Sequence, residues 1–133
     1  MPMNESMIET PLMRGLERAL DQSAFRHRVL ATNVANVDTP GYHTRDVPTF
    51  AGEIEQAMAG PSDEDASALP AMTLTPVAHE VRGLMERPDG NNVSVERESL
   101  LLAENQLRFQ AAAAVLKSEF HRLALAISGG SQS

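Results

Sequence analysis

The last third of the chain holds a seam spaced alternately three and four residues apart, Ser99, Leu102, Gln106, Phe109, Ala113, Leu116, Phe120, Leu123 and Ile127, with no proline or glycine inside it. Residues so spaced share one face of an α-helix, and the alternation is that of a coiled coil. At about 1.5 Å per residue, some 33 residues span about 50 Å. A second seam lies near the other end: Met13, Leu16, Leu20, Ser23, His27, Leu30, Val34 and Val37, polar at two places. A 133-residue chain cannot bury two such seams in a compact globule unless they pair with each other. The expected fold is therefore mainly α: long N- and C-terminal helices forming a coiled-coil-like hairpin, with an irregular middle region containing short extended segments.

The hairpin alone leaves apolar surface uncovered, above all along Ala111 to Ala114, and stripes of that length mark association. Aromatic residues are only 4% of the chain and tryptophan is absent, so burial falls to Leu, Val, Met and Ala, which suits helix-on-helix packing. The net charge of −7 argues against nucleic acid and against an anionic membrane surface. No run approaches the roughly 18 to 20 apolar residues of a membrane span. The start, MPMNESMIET, lacks the pattern of a cleaved signal peptide. Without cysteine there is no disulfide, thiol catalysis or thiolate metal site.

The expected organisation is a flexible N-terminus over 1–11, an N-terminal helix over 12–38, a turn and extended arm over 39–50, and a variable middle over 51–93. A C-terminal helix over 94–128 and a flexible tail over 129–133 follow. Thr39-Pro40-Gly41-Tyr42 stops the first helix: Pro40 disfavours the helical region at Thr39, and Pro-Gly suits the centre of a type II turn. Beyond it, Arg45, Asp46, Val47 and Phe50 read as an arm that leaves the hairpin toward a neighbouring subunit. In the middle region, Gly60 to Pro70 with the acidic run Asp63-Glu64-Asp65 reads as a solvated linker, and 72–77 as a short extended segment. Asp89-Gly90-Asn91-Asn92-Val93 is a second turn signal, after which Ser94 is placed to cap the long helix, with Glu96 and Glu98 in its first turn. Gly129-Gly130 supplies its stop.

The string Asn33-Val34-Ala35-Asn36-Val37-Asp38-Thr39-Pro40-Gly41-Tyr42, at the end of an N-terminal heptad helix, resembles the signature of bacterial flagellar axial proteins: rod, hook and hook-associated proteins. Asp89 to Val93 resembles the motif before their C-terminal helix. The continuation Arg45-Asp46-Val47 with Phe50, in so short a chain, is most similar to the basal-body rod members at the proximal end. The resemblance covers roughly 12–50 and 89–127 but not 51–71. It implies a structural subunit whose terminal helices build the inner tube of a helical drive shaft that transmits torque. Its implied partners are copies of itself, other rod proteins and the export-gate and membrane-ring base. It implies a basal-body location in the periplasmic space, after type III export without a cleaved signal.

Residues that suggest chemistry have plainer readings. His27, His43, His79 and His121 include no pair at helical ligand spacing, so no metal site is expected. Glutamates on an exposed helix face are ordinary, and no nucleophile, phosphate-loop or metalloprotease motif is present. No catalytic residue and no cofactor is expected. Asn33, Asn36, Asn105 and Gln106 are the polar residues of interest: either solvated or capping, or hydrogen-bonded between subunits, where a buried amide restricts register. Matches of Asn33, Asn36 and Asn105 to family positions favour contacts. The expected assembly seam is Leu16, Leu20, Leu30 and Val34 with Leu102, Asn105, Phe109, Leu116, Phe120 and Leu123. A soluble helical adaptor or export chaperone, or another rod protein, is the alternative. The adaptor accounts for the seams and the acidity but for neither turn motif.

Overall fold

The computed structural model describes residues 10–52 and 75–130. The expectations for 1–9, for the linker with its acidic run, for 72–74 and for 131–133 lie outside the described residues.

Helix α1 spans Pro11–Ala35. Thr10 caps it from extended backbone, its hydroxyl accepting from the Met13 amide at 3.2 Å, and Pro11 occupies the first turn, where a missing amide hydrogen costs nothing. The α-helical ladder ends three residues before the expected boundary at 38. Winding then continues in tighter turns, with the Val37 amide on the Val34 carbonyl at 3.2 Å and that of Thr39 on Asn36 at 3.0 Å. The amide of Tyr42 reaches the Thr39 carbonyl at 3.2 Å with Gly41 at φ +74°, which is the type II turn that Pro40-Gly41 suits.

Strand β1 is Arg45–Asp46 and pairs antiparallel with β2, His79–Glu80; Arg45 lies opposite Glu80 and Asp46 opposite His79. Of the extended segment expected at 72–77, the described part, 75–77, forms no strand; the strand forms at 79–80, where the arm supplies a partner. The arm ends sooner than expected, because the Thr49 hydroxyl caps a helical turn at 50–52, accepting from the Gly52 amide at 3.1 Å.

Helix α2 spans Val95–Gly130. Ser94 caps it, its hydroxyl accepting from the Arg97 amide at 3.3 Å. It runs through Gly129 and Gly130 instead of stopping before them; a helical glycine costs only about 1 kcal/mol relative to alanine, which weakens a helix end without forbidding it.

The two long helices pack against each other. Asn33 meets Glu98 and Ser23 meets Asn105, so the pairing is antiparallel. With 36 residues against 25, α2 outruns α1 by 11, about 16 Å of helix. Four described apolar side chains are buried, Met13, Leu30, Val47 and Val93, against seven polar or charged ones, Gln22, Arg26, Asn33, Thr44, Asn91, Glu98 and Asn105. Polar contacts therefore set the geometry of this hairpin at least as much as apolar burial does.

Candidate functional site

The closed end of the hairpin brings both turn motifs into one junction. Asn33, buried in the last turns of α1, uses its whole amide. Its Nδ2 donates to the Arg45 carbonyl at 2.7 Å and to Glu98 Oε2 at 2.9 Å, while Oδ1 accepts from the Tyr42 hydroxyl at 3.0 Å and the Arg45 amide at 3.1 Å. Two donors and two lone pairs are all the group has. The Thr44 carbonyl points to β2, accepting from the Val81 amide at 2.9 Å, while both backbone groups of Arg45 point the other way, onto Asn33. Alternation along a strand thus lets one side-chain amide stand in for a neighbouring strand.

Asn91 does the equivalent for the end of α1. From the other motif, its Nδ2 donates to the carbonyls of Asn36 at 2.9 Å and Thr39 at 2.8 Å, and its Oδ1 accepts from the Val93 amide at 2.8 Å. A helix end leaves carbonyls without partners, and here they are met in trans. The Arg87 guanidinium donates to the Val37 carbonyl, and Asn36 Nδ2 reaches back to Thr32 O at 2.8 Å. Asn92 ties the arm: its Oδ1 accepts from the Thr44 amide at 2.7 Å and its amide donates to Tyr42 O at 3.3 Å. Asp89 accepts from the Asn91 amide at 3.0 Å, shaping its own turn.

The two turns touch backbone to backbone. The Gly41 amide donates to Asp89 O at 2.9 Å, and a Cβ on Gly90 would stand 3.2 Å from Gly41 Cα. Gly90 has φ +84°, so conformation and space both demand glycine there.

Beyond the junction the arm folds back along α1 of its own chain. A polar stripe on α1 holds it. Gln22 Nε2 donates to Pro48 O, and Arg26 grips Asp46 with Nε at 2.8 Å from Oδ1 and NH2 at 2.9 Å from Oδ2. Burial of this bidentate pair makes it stronger and more specific in geometry than a surface ion pair. Val47 is buried beneath, and Phe50 is half-buried. Glu98, fully buried at the first turn of α2, has its second oxygen 2.8 Å from Arg97 NH1, so the buried charge is paired as well as hydrogen-bonded. No buried side-chain polar atom among the described residues lacks a partner.

Sequence reasoning missed Gln22, Arg26, Thr44 and Glu98 as parts of this site. Gln22 and Arg26 stand four apart with Asn33 seven further on, and that polar spacing is the signal that attention to apolar residues passed over. Of the other expected residues, Pro40 is exposed at the turn, and Asn105 Nδ2 donates to Ser23 O at 2.8 Å inside the hairpin. Leu30 is buried; Leu16, Leu20, Val34, Leu102, Phe109, Leu116 and Leu123 are half-buried, and Phe120 is exposed. His27, on the expected seam, is exposed beside it, as is Gln106. The histidines are not brought together, and no group of three or more His, Asp or Glu among the described residues is arranged to hold a metal.

Burial and hydrogen bonding shift three titrations here; the hydrogen bond to Asp46, ahead of its charge, raises Arg26. Burial pushes the Tyr42 hydroxyl above its ordinary value. His43 is raised, first by its hydrogen bond to Glu80, 2.6 Å away, and then by the negative charge of Glu80 and Glu86.

A helical hairpin of the chain's two ends, locked by one turn motif after the first helix and another before the second, is the arrangement that the resemblance to flagellar axial proteins implies. Comparison narrows the class. The chain is 33% identical to the flagellar basal body rod protein FlgB of Salmonella typhimurium over 132 residues, covering 89% of this chain and 94% of that protein. It is 32% identical to FlgB of Escherichia coli and 27% identical to FlgB of Bacillus subtilis, each over 130 residues with the same coverage. The chain belongs to the FlgB family of flagellar basal body rod proteins. No family model matches it.

Proposed function

We propose that the chain is a structural subunit of the proximal rod, assembling through its terminal helices into the shaft that transmits torque and carrying out no catalysis. The observation that supports this best is that α2 is apolar on opposite sides. Leu102, Phe109 and Leu116 face the hairpin seam, and Leu123 continues their line past the start of α1. Leu100 and Leu107, 69% and 67% exposed, lie with exposed Leu125 on another line, 7 and 18 residues apart, about two and five whole turns. Exposed Ala111 and Ala114 fall between them, so that side is also narrow. Two opposite apolar lines on one helix, separated by charged flanks, are two faces that each call for a covering surface. The covering surface is another subunit, a copy of this chain or another rod protein, and a contact that does not close on itself generates a rod. At the shaft's inner end the partners are the export gate and membrane-ring base.

No described helix is long and apolar enough to cross a membrane. The rod reading places the subunit in the periplasmic space.

Leu107→Asp tests the outer line. The variant is expected to keep its helix content by circular dichroism while disappearing from purified basal bodies; normal incorporation would sink the assignment. Deleting the whole chain should abolish hook and filament, whereas rods that persist with one exported client depleted would indicate a chaperone.

A further inference from the structure

The segment 81–88 is tied at both ends and presents an apolar side chain to solvent. The Val81 amide is bonded to Thr44 O at 2.9 Å and the Arg87 amide to Asn91 O at 2.8 Å. Between them Gly83, at φ +79°, turns the chain, and Met85 stands 92% exposed. A single exposed apolar residue is unremarkable on its own. This one sits on an anchored loop, so seating it in a partner costs little ordering entropy. Glu86 follows it, and its only described ion-pair contact is a long one, 3.8 Å, to His43.

A receptor of matching chemistry lies elsewhere on the same molecule. Between α1 and α2, about one and a half to two turns or more from the junction, a groove of about 300 Å³ has Ala24 and Phe109 as apolar lining, with His27, Arg28 and Gln106 on its walls. Arg28 makes no ion pair among the described residues; its guanidinium lies 5.8 Å from the centre of the Phe25 ring. Methionine suits such a site, being flexible enough to fill an irregular gap and favourable against an aromatic ring.

We propose that Met85 of one copy seats in the α1/α2 groove of the next copy, against Phe109, with Glu86 pairing to Arg28. The inference rests on the rod reading and names a contact between successive subunits. Peg and groove are different patches, so the contact is heterologous: every copy offers one of each, and the chain of contacts extends without closing. The negative loop carboxylate and the positive groove wall set its direction.

The absence of cysteine makes the test direct. Met85→Cys combined with Gln106→Cys, in place of the natural chain, is oxidised in isolated basal bodies and run without reductant; the two single variants serve as controls. Expected is a ladder of dimer and higher multiples for the double variant only. Glu86→Arg added to it should cut the ladder several-fold, and Arg28→Glu added in turn should restore it. A double variant that enters basal bodies but gives no multiple, only an internally linked monomer, or only a dimer overturns the peg while leaving the rod reading intact. A natural chain missing from basal bodies overturns both. If the double variant is excluded from basal bodies, Met85→Ser is assayed for incorporation in its place: reduced incorporation supports the contact, and undiminished incorporation overturns it.

Discussion

The junction at the closed end and the shaft of the same hairpin are built on opposite principles. At the junction most buried groups are polar and saturated, by Asn33 with four side-chain hydrogen bonds, Asn91 with three and the Arg26–Asp46 pair with two. Along the shaft, Leu100, Leu107 and Leu125 remain in water and most seam residues are only half covered. The junction is complete within one chain; the shaft keeps apolar surface uncovered. Hydrogen bonds are directional and fix angles, whereas apolar burial is not directional and tolerates sliding. A shaft subunit that must carry torque gains from having its angle set internally and its adhesive surface left for assembly.

The comparison breaks hardest at Asn33. Asn33→Ala strands Glu98, Tyr42 and both backbone groups of Arg45, so a loss of about 3 kcal/mol or more is expected in urea unfolding of the monomer. A loss below about 1 kcal/mol would mean that the junction is not the organising element. Gly90→Ala comes next: a residue forced to positive φ, with its Cβ pressed on Gly41, should cost about 1–2 kcal/mol by the same measurement. On the shaft, Leu107→Asp should alter monomer stability by no more than about 0.5 kcal/mol while abolishing assembly, which separates the two regions.

The smallest effect belongs to the exposed His43 clasp between the arm and the 80–86 segment. Its folded titration lies above the ordinary 6.5, so its contribution is full below about pH 6.5 and fades as pH rises through the raised value. His43→Gln should flatten that part of the stability–pH curve. A curve unchanged by the substitution would remove the clasp from the account.

Legibility divided along the same line. The shaft could be read because apolar spacing is local: Leu16, Leu20 and Leu30, or Phe109, Leu116 and Phe120, declare a helix face without reference to anything distant. The type II turn at Pro40-Gly41 and the Ser94 cap were readable for the same reason, since each is satisfied within four residues. The junction was legible only as two separate motifs. That Asn91 closes the end of α1, that Asn33 occupies the open side of β1 and that Arg26 draws the arm back along its own helix depended on groups 12 to 55 residues apart meeting.

By itself, then, the order of residues determined two long helices, the chain reversal after the first, the cap of the second and membership of the axial class. Tertiary structure decided the register of the hairpin, the course of the arm and which side of α2 stays open. The physical reason is one of range. Helix periodicity, turn chemistry and capping act over a few residues. A buried amide must find partners for its whole hydrogen-bonding capacity, and which distant groups can supply them is settled only when the chain closes on itself.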